Sequence, residues 1–202
     1  MNDRTNAPAD FRSREGDAAL GDFDNQHPWE LCTTITEGAW GYQANAKVKP
    51  LAHLLELLVG AAGRDGNMLL NVGPRPDGKI DPVQEARLRE IGQWLSLYGE
   101  GIYGTRGGPW LPGTYGVSTH NGNRVYVHVL HPSQNFTLVL PTLPAHILKA
   151  EVLHGSGVPF QQTVRTLTLN LPQVPPDTID IVVKLELAEP WTTCAVVPVP
   201  AQ

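Results

Sequence analysis

Two helix patterns, each preceded by a short apolar run, constrain the fold of this chain more than any other feature. The run 29–35 has the β-branched and apolar content of a buried strand, and Pro50 then opens a helix with apolar residues at helical spacing. The run 67–74 is again almost wholly apolar, and a second helix extends from Asp81 as N-cap to a stop at Gly99. This strand–helix–strand–helix order predicts a parallel sheet with right-handed crossovers.

A different pattern begins after the turn-rich segment 105–109. The tripeptide Asn121-Gly122-Asn123 is a strong hairpin signal between two short alternating runs. The alternating runs cover residues 115–119, 124–130, 136–140, 147–153, 164–169 and 179–187. Six such runs predict a small antiparallel β-sandwich. The chain is therefore expected to divide into residues 1–104 and residues 105–202.

Segment 1–28 is polar and has little periodicity, which predicts a long loop. The chain has 202 residues, whereas a complete (β/α)₈ barrel alone takes about 250. We therefore expect a parallel-sheet part that is smaller than a closed barrel.

Composition excludes some classes of partner. The formal net charge is −5 and the chain has no basic run, which argues against a nucleic-acid-binding surface. No apolar stretch approaches the roughly 20 residues of a membrane helix, so no membrane partner is expected. Cys32 and Cys194 match no metal or redox spacing. Two buried or idle thiols are favoured, and a disulfide between them is the alternative.

Five short motifs occur in order along the first part of the chain. They are Trp29-Glu30-Leu31-Cys32-Thr33-Thr34-Ile35, Trp40-Gly41-Tyr42, Gly66-Asn67-Met68-Leu69-Leu70-Asn71-Val72-Gly73-Pro74, Asp77-Gly78 and Gly99-Glu100-Gly101-Ile102-Tyr103-Gly104-Thr105. In this order they resemble the C-terminal half of the α-L-fucosidases of glycoside hydrolase family 29. The sandwich predicted after them is similar to the β-domain that follows the barrel in that family.

The resemblance implies a fold class of α/β plus all-β: the C-terminal part of a (β/α)₈ barrel, with about two βα units, followed by a small antiparallel β-sandwich. It also implies retaining hydrolysis of terminal α-L-fucose from glycans, which needs two carboxyl groups about 5 Å apart. The family nucleophile is an Asp at the end of an earlier barrel strand, upstream of anything present here. The isolated chain is therefore expected to be inactive.

The resemblance gives two candidates for the acid/base residue. Glu15 matches the loop glutamate that serves in many members and is the first candidate, whereas Glu30 matches a Glu beside a strand Trp. A third family position, beyond the Trp-Gly-Tyr motif, is occupied by Ala46. Alternatively, Glu15 is a solvated loop charge, and Glu30 is held structurally, for example by Asn71.

Two further residues are candidates for substrate binding. Trp40, on a Gly-flanked loop, can stack on the apolar face or methyl group of a fucose, or it can be ordinary core. Asn71, at a strand end, can line the pocket floor or cap local backbone. The histidines show no ligand spacing, so no metal is expected. No cofactor is implied either, because carboxylates suffice for the chemistry.

A fucosylated glycan is the partner that the resemblance implies. The apolar helix faces also need a covering surface, which predicts self-association or pairing with a separately encoded N-terminal barrel half, unless the chain is a gene-model fragment. The alternative function is a stand-alone carbohydrate-binding or interaction module. The sequence does not indicate a compartment.

Overall fold

The computed structural model of the chain describes residue 3 and residues 8–38, 40–130, 132, 135–192 and 195–200. These residues contain two α-helices, α1 (Leu51–Gly63) and α2 (Pro82–Tyr98), and two 3-10 helices, Asp17–Leu20 and Gly99–Gly101. The strands in the same part of the chain are β1 (Arg12–Glu15), β2 (Trp29–Thr34), β3 (Asn67–Asn71), β4 (Arg106–Gly107), β5 (Gly116–Asn121), β6 (Arg124–Val129), β7 (Thr137–Pro141), β8 (Ile147–Val152), β9 (Phe160–Gln162), β10 (Thr166–Asn170) and β11 (Ile181–Leu187).

The first three strands form one parallel sheet in the order β1-β2-β3. The expectation of a loop throughout 1–28 was wrong, because β1 and the 3-10 helix Asp17–Leu20 lie inside it. Side-chain contacts explain how so polar a segment becomes a strand. The guanidinium of Arg14 lies 3.8 Å from the centre of the Trp29 ring and donates to the carbonyls of Leu20 and Asp22 at 2.8 and 2.9 Å.

Helix α1 covers one face of this sheet. Leu57 and Ala61 of α1 pack against Trp29 and Leu31 of β2, and all four are at least 95% buried. Helix α2 begins as predicted, with Asp81 as N-cap accepting from the backbone N–H of Val83 at 3.0 Å. The strand–helix–strand–helix order predicted from the sequence is thus present.

The second half of the chain is an antiparallel sandwich. One sheet has the order β4-β5-β6-β11-β8 and the other β7-β10-β9. Its core lies between them, where Val127 and Leu185 of the first sheet and Leu140 and Leu167 of the second are completely buried. The hairpin turn is confirmed, because Asn121 and Arg124 are paired across the two residues between them. The sequence reading missed the short strands β4 and β9.

The two parts meet closely at a junction formed by the end of α1 and the strands β4 and β5. A Cβ on Gly63 would lie 2.3 Å from the Cβ of Val117, so the helix end needs a glycine there. The Arg106 guanidinium forms two hydrogen bonds with the Asp65 carboxylate, at 2.8 and 2.5 Å, and Asp65 also accepts from the Gly107 N–H at 2.7 Å. Burial and ion pairing therefore both tie the sheet part to the sandwich.

The 3-10 helix Gly99–Gly101, directly after α2, makes a second contact with the sandwich. The Glu100 carboxylate accepts from the Tyr126 hydroxyl at 2.8 Å and pairs with Lys184 at 2.9 Å. Nearby, His128 Nδ1 lies 2.7 Å from Asp180 Oδ2, and both side chains are fully buried. The Nε2 atom of the same ring lies 3.3 Å from the Gly101 carbonyl oxygen. This imidazole therefore links the 3-10 helix Gly99–Gly101 to the sandwich.

Three further findings concern the described residues alone. None of their helices has the length and hydrophobicity that crossing a membrane requires. Their His, Cys, Asp and Glu side chains form no group of three or more that could hold a metal ion. Cys32 is a free thiol, while Cys194 lies outside the described residues.

Candidate functional site

The carboxyl ends of the three parallel strands lie at one edge of the sheet. Strand β1 ends at Glu15, β2 at Thr34 and β3 at Asn71. We call the region formed by these ends and the segments that follow them the strand-end edge. In parallel α/β structures this edge carries the binding and catalytic groups, because the loops after the strands converge there.

Glu15 is the last residue of β1 rather than a loop residue, and its side chain is exposed. It is level with Cys32 of β2, and Cys32 is level with Leu69 of β3. Residues level with one another in a sheet point to the same face, so Glu15 lies on the face opposite α1. Leu69 on this face is 43% exposed. Glu15 thus stands at the strand-end edge, on the open face of the sheet.

Glu30 lies on the same face but near the start of its strand. It is level with Ser13 of β1 and Asn67 of β3. It precedes the strand end, Thr34, by four residues, or about 13 Å at the rise of a β-strand. The register places Asn67, not Asn71, beside Glu30. The geometry therefore separates the two candidate glutamates and leaves Glu15 nearer to the edge.

Asn71 and Trp40, the two predicted binding residues, are in contact. The Asn71 side-chain amide donates a 2.7 Å hydrogen bond to the Trp40 carbonyl. Trp40 is 43% exposed, so it is not a core residue. The segments after β2 and β3 also touch backbone to backbone, since a Cβ on Gly73 would lie 2.6 Å from the carbonyl carbon of Gly41. Asn71 thereby fixes the loop that presents Trp40.

A polar network that the sequence reading missed lies directly after Glu15. Asp17 Oδ1 accepts from Lys49 Nζ at 2.7 Å and from the Thr33 hydroxyl, and Asp17 Oδ2 lies 2.7 Å from His53 Nε2. Lys49 is only 8% exposed. Lys49 precedes α1, and His53 stands in its first turn. The carboxylate of Asp17 thus connects the end of β1 to β2 and to the start of α1.

These contacts keep Asp17 ionised. Burial by itself would raise the pKa of Asp17, but hydrogen bonds from His53, Lys49 and Thr33 outweigh it and lower the pKa to about 2. Gly16, between Glu15 and Asp17, has φ 84°, a conformation that favours glycine. The anchored Asp17 and the turn at Gly16 therefore determine where the chain leaves β1.

A cavity of about 400 Å³ opens at the strand-end edge. Asp17, Thr34, Trp40 and Lys49 contribute to its lining. A volume of this size suits a small ligand. The cavity combines a carboxylate, an ammonium group, a hydroxyl and an exposed indole, which are groups suited to holding a polar ligand that also has an apolar face.

The sequence carried only a weak signal for this network. Asp17, Lys49 and His53 are spread over 36 positions and form no recognised motif. A short stretch, Lys49-Pro50, places a cation directly before a helix start, where the backbone does not favour positive charge. A cation in that position needs an anionic partner, and this was the available clue.

Comparison with protein families gives a match to the α-L-fucosidase family model over residues 1–100. The tissue α-L-fucosidases of Macaca fascicularis and Homo sapiens are each 35% identical to this chain over 164 residues, which is 76% of this chain and 35% of the relative. The chain thus spans about a third of the length of these curated relatives.

Solved structures extend the similarity into the sandwich. The α-L-fucosidase from Vibrio sp. strain EJY3 superimposes with a TM-score of 0.82 at 25% identity, covering 94% of this chain and 36% of that one. A family 29 α-L-fucosidase from Bacteroides thetaiotaomicron, trapped as a covalent intermediate with 2-fluoro-fucosyl fluoride, gives a TM-score of 0.78 at 27% identity, covering 88% and 43%. The shared fold therefore includes both halves of this chain.

Proposed function

Because this chain belongs to the α-L-fucosidase family, we propose that its strand-end edge forms part of a site that hydrolyses terminal α-L-fucose from glycans with retention of configuration. The observation that carries the proposal is the family match over residues 1–100, which include Glu15, Trp40 and Asn71. The contact between Trp40 and Asn71 and the neighbouring cavity support it.

The proposed architecture is the C-terminal part of a (β/α)₈ barrel, with residues 1–104 as barrel portion and residues 105–202 as β-sandwich domain. Three parallel strands with a helix after β2 and another after β3 support this assignment, because that order is the repeating unit of such barrels. In that architecture, the open face with the exposed Leu69 would point to the inside of the barrel, which the other barrel strands would close.

In the proposed reaction, Glu15 is the acid/base. Its carboxyl group protonates the glycosidic oxygen as the bond to the anomeric carbon breaks, and its carboxylate later takes a proton from the water that releases the fucose. The position of Glu15 at the strand-end edge supports this role over Glu30, the second candidate. The attacking carboxylate is not assigned to this chain. In the family it is an Asp of an earlier barrel strand.

Trp40 and Asn71 are proposed to bind the substrate. The exposed indole offers an apolar surface for the methyl group or the apolar ring face of fucose. The Asn71 side-chain amide also donates to the backbone carbonyl of Trp40 and so holds the loop that presents the indole. No cofactor takes part, since two carboxyl groups provide the whole of this chemistry.

We further propose that the isolated chain does not turn over substrate and that activity needs a partner carrying the earlier strands. An aryl α-L-fucoside assay tests this on the 202-residue chain alone and on the chain co-expressed with the N-terminal portion of the Vibrio relative. Turnover is expected only in the second case, with Glu15→Gln reducing it about 100-fold or more and Glu30→Gln much less. Turnover by the chain alone, abolished by Glu15→Gln, would refute the need for a partner.

Self-association is a second way to cover the open face. It predicts a dimer by sedimentation, weakened by Leu69→Glu. A sharply unfolding monomer would contradict both self-association and obligate pairing.

The alternative function is a carbohydrate-binding module. One specific observation supports it: a cavity of about 630 Å³ lies at the starts of the parallel strands, opposite the strand-end edge.

A further inference from the structure

A cavity of about 630 Å³ lies at the starts of the parallel strands, away from the strand-end edge. It is bounded by the segment before β2, by the first residues of β3 and by the linker 102–106 that leads into the sandwich. We call it the junction cavity. Its volume is in the range of small-molecule sites, and boundaries between two structural parts are a common place for them.

Neutral hydrogen-bonding groups contribute much of its polar lining. Asn25, Gln26 and Asn67 line the cavity, and Gln26 and Asn67 are exposed. The Gln26 amide donates to the Asn25 amide oxygen at 2.7 Å, which orients the two side chains toward each other. An amide group offers both donors and acceptors. Adjacent amides therefore match the vicinal hydroxyls of a sugar, each of which also donates and accepts.

The charged groups of the junction cavity are already paired. Arg106 is held by two hydrogen bonds to Asp65, whose side chain is only 4% exposed. His27 Nδ1 lies 3.5 Å from the Asp24 carboxylate. A site for phosphate or another anion would need cations without such internal partners. The lining is thus better suited to a neutral ligand.

An exposed aromatic ring stands at the rim. Tyr103 is 66% exposed, although large aromatic side chains usually bury most of their surface. A Cβ on Gly99 would lie 3.0 Å from the edge of the Tyr103 ring. The ring can occupy this position because residue 99 is a glycine. Tyr103 also lines a second cavity of about 550 Å³, beside the β5–β6 hairpin. One ring is therefore accessible from two adjoining clefts.

We propose that the junction cavity binds a neutral oligosaccharide, with the Tyr103 ring stacked on one sugar and the amides of Asn25, Gln26 and Asn67 bonded to hydroxyls. The second cleft accommodates the next sugar of the same chain. This site is non-catalytic and goes beyond the proposed hydrolysis, because no residue of the strand-end edge takes part in it. Its role is to hold a glycan chain at a distance from the reacting bond.

The test is an NMR titration of the full 202-residue chain with lactose and, separately, with L-fucose, neither of which contains a scissile fucosyl bond. Lactose is expected to shift the side-chain amide signals of Gln26 and Asn67. Tyr103→Ala should weaken lactose binding about tenfold or more, while Tyr103→Phe, which keeps the ring, should leave it nearly unchanged. Trp40→Ala is the matched control at the other aromatic site and should not alter lactose binding.

Three results would overturn the junction site. The first is no shift with lactose. The second is a set of shifts confined to the Trp40 indole and the strand-end edge, a result that would leave the proposed hydrolysis standing. The third is tighter binding of inorganic phosphate than of lactose, because that would make the cavity an anion site. Lactose binding that depends on Tyr103 would support the inference even if the chain shows no fucosidase activity with any partner.

Discussion

Lys49 is only 8% exposed, and its ammonium group lies 2.7 Å from the carboxylate of Asp17. A buried cation without a partner is costly. The pair therefore fixes the exit of β1 to the start of α1, two residues from the proposed acid/base, Glu15. The position of the segment that carries Glu15 therefore depends on the contact between Asp17 and Lys49. That contact takes no part in the proposed chemistry.

Asp17→Asn tests this contact. The variant keeps the shape but removes the charge that compensates Lys49, and we expect the free energy of unfolding to fall by about 1–3 kcal/mol. Chemical denaturation at neutral pH measures it. Glu37→Gln is the matched control, because Glu37 pairs with Lys47 on the surface, and it should change stability by less than about 0.5 kcal/mol. Equal effects from the two substitutions would contradict the anchoring role.

The pH dependence of stability provides an independent check on Asp17. Its pKa is lowered from 3.8 to about 2 in the folded chain. A lowered carboxyl pKa stabilises the folded state above the unfolded pKa, and this contribution disappears as the pH falls toward the folded pKa. The parent chain and Asp17→Asn should thus differ in free energy of unfolding by their full amount above about pH 5. This difference should shrink as the pH falls from about 5 to 2. A difference that does not change over this interval would show that the carboxylate is not the stabilising group.

Tyr126 should make the chain sensitive to alkaline pH. Burial, and then the hydrogen bond to Glu100, raise the pKa of Tyr126 from 10.0 to about 12. A raised pKa means that the folded chain disfavours tyrosinate, so stability is complete below pH 10 and is lost as the pH rises toward 12. Tyr126→Phe removes this loss, at a cost near neutral pH of about 0.5–1.5 kcal/mol for the missing hydrogen bond. Parallel alkaline unfolding curves for the two proteins would refute the assignment.

Two helix glycines should respond in opposite directions to the same substitution. Gly63→Ala drives a methyl group into Val117, and we expect a loss of about 1–3 kcal/mol. Gly92→Ala, in α2, meets no atom within 4 Å and should stabilise by about 0.5–1 kcal/mol. Thermal unfolding distinguishes them. Val117→Gly removes the Cβ that the new methyl group would meet at 2.3 Å and should recover part of the loss in the Gly63→Ala background. Additive effects would mean that the two residues are not in contact.

Local signals predicted much of the fold. The Asp81 cap, the turn between Asn121 and Arg124, and the order of the strands and helices each depend on neighbours in sequence, and the structure shows all of them. Strand β1 was missed because its polar residues pair with a distant strand, β2, and Arg14 is held there by stacking on Trp29. No periodicity in the polar sequence of β1 could reveal a contact between two distant segments.

The candidate site was predicted less completely. The resemblance supplied Glu15, Glu30, Trp40 and Asn71, and their roles stay predictions. The Asp17 network was missed because its members come from three separate elements, brought together only by the packing of α1 on the sheet. The members of a long-range polar cluster have no fixed spacing along the chain, so a sequence pattern does not reveal them. They are recognised only once the fold brings their side chains together.

The glycines of the junction have a consequence for how such chains can be recombined. Gly63 lies against Val117, and a Cβ on Gly107 would lie 2.5 Å from the Asp65 nitrogen. Each half of the molecule thus has a glycine at the point where the other half comes closest. A sandwich grafted from a distant homologue would bring its own residues to these positions and clash with the host. We therefore expect the two halves to be inherited together rather than exchanged between distant homologues.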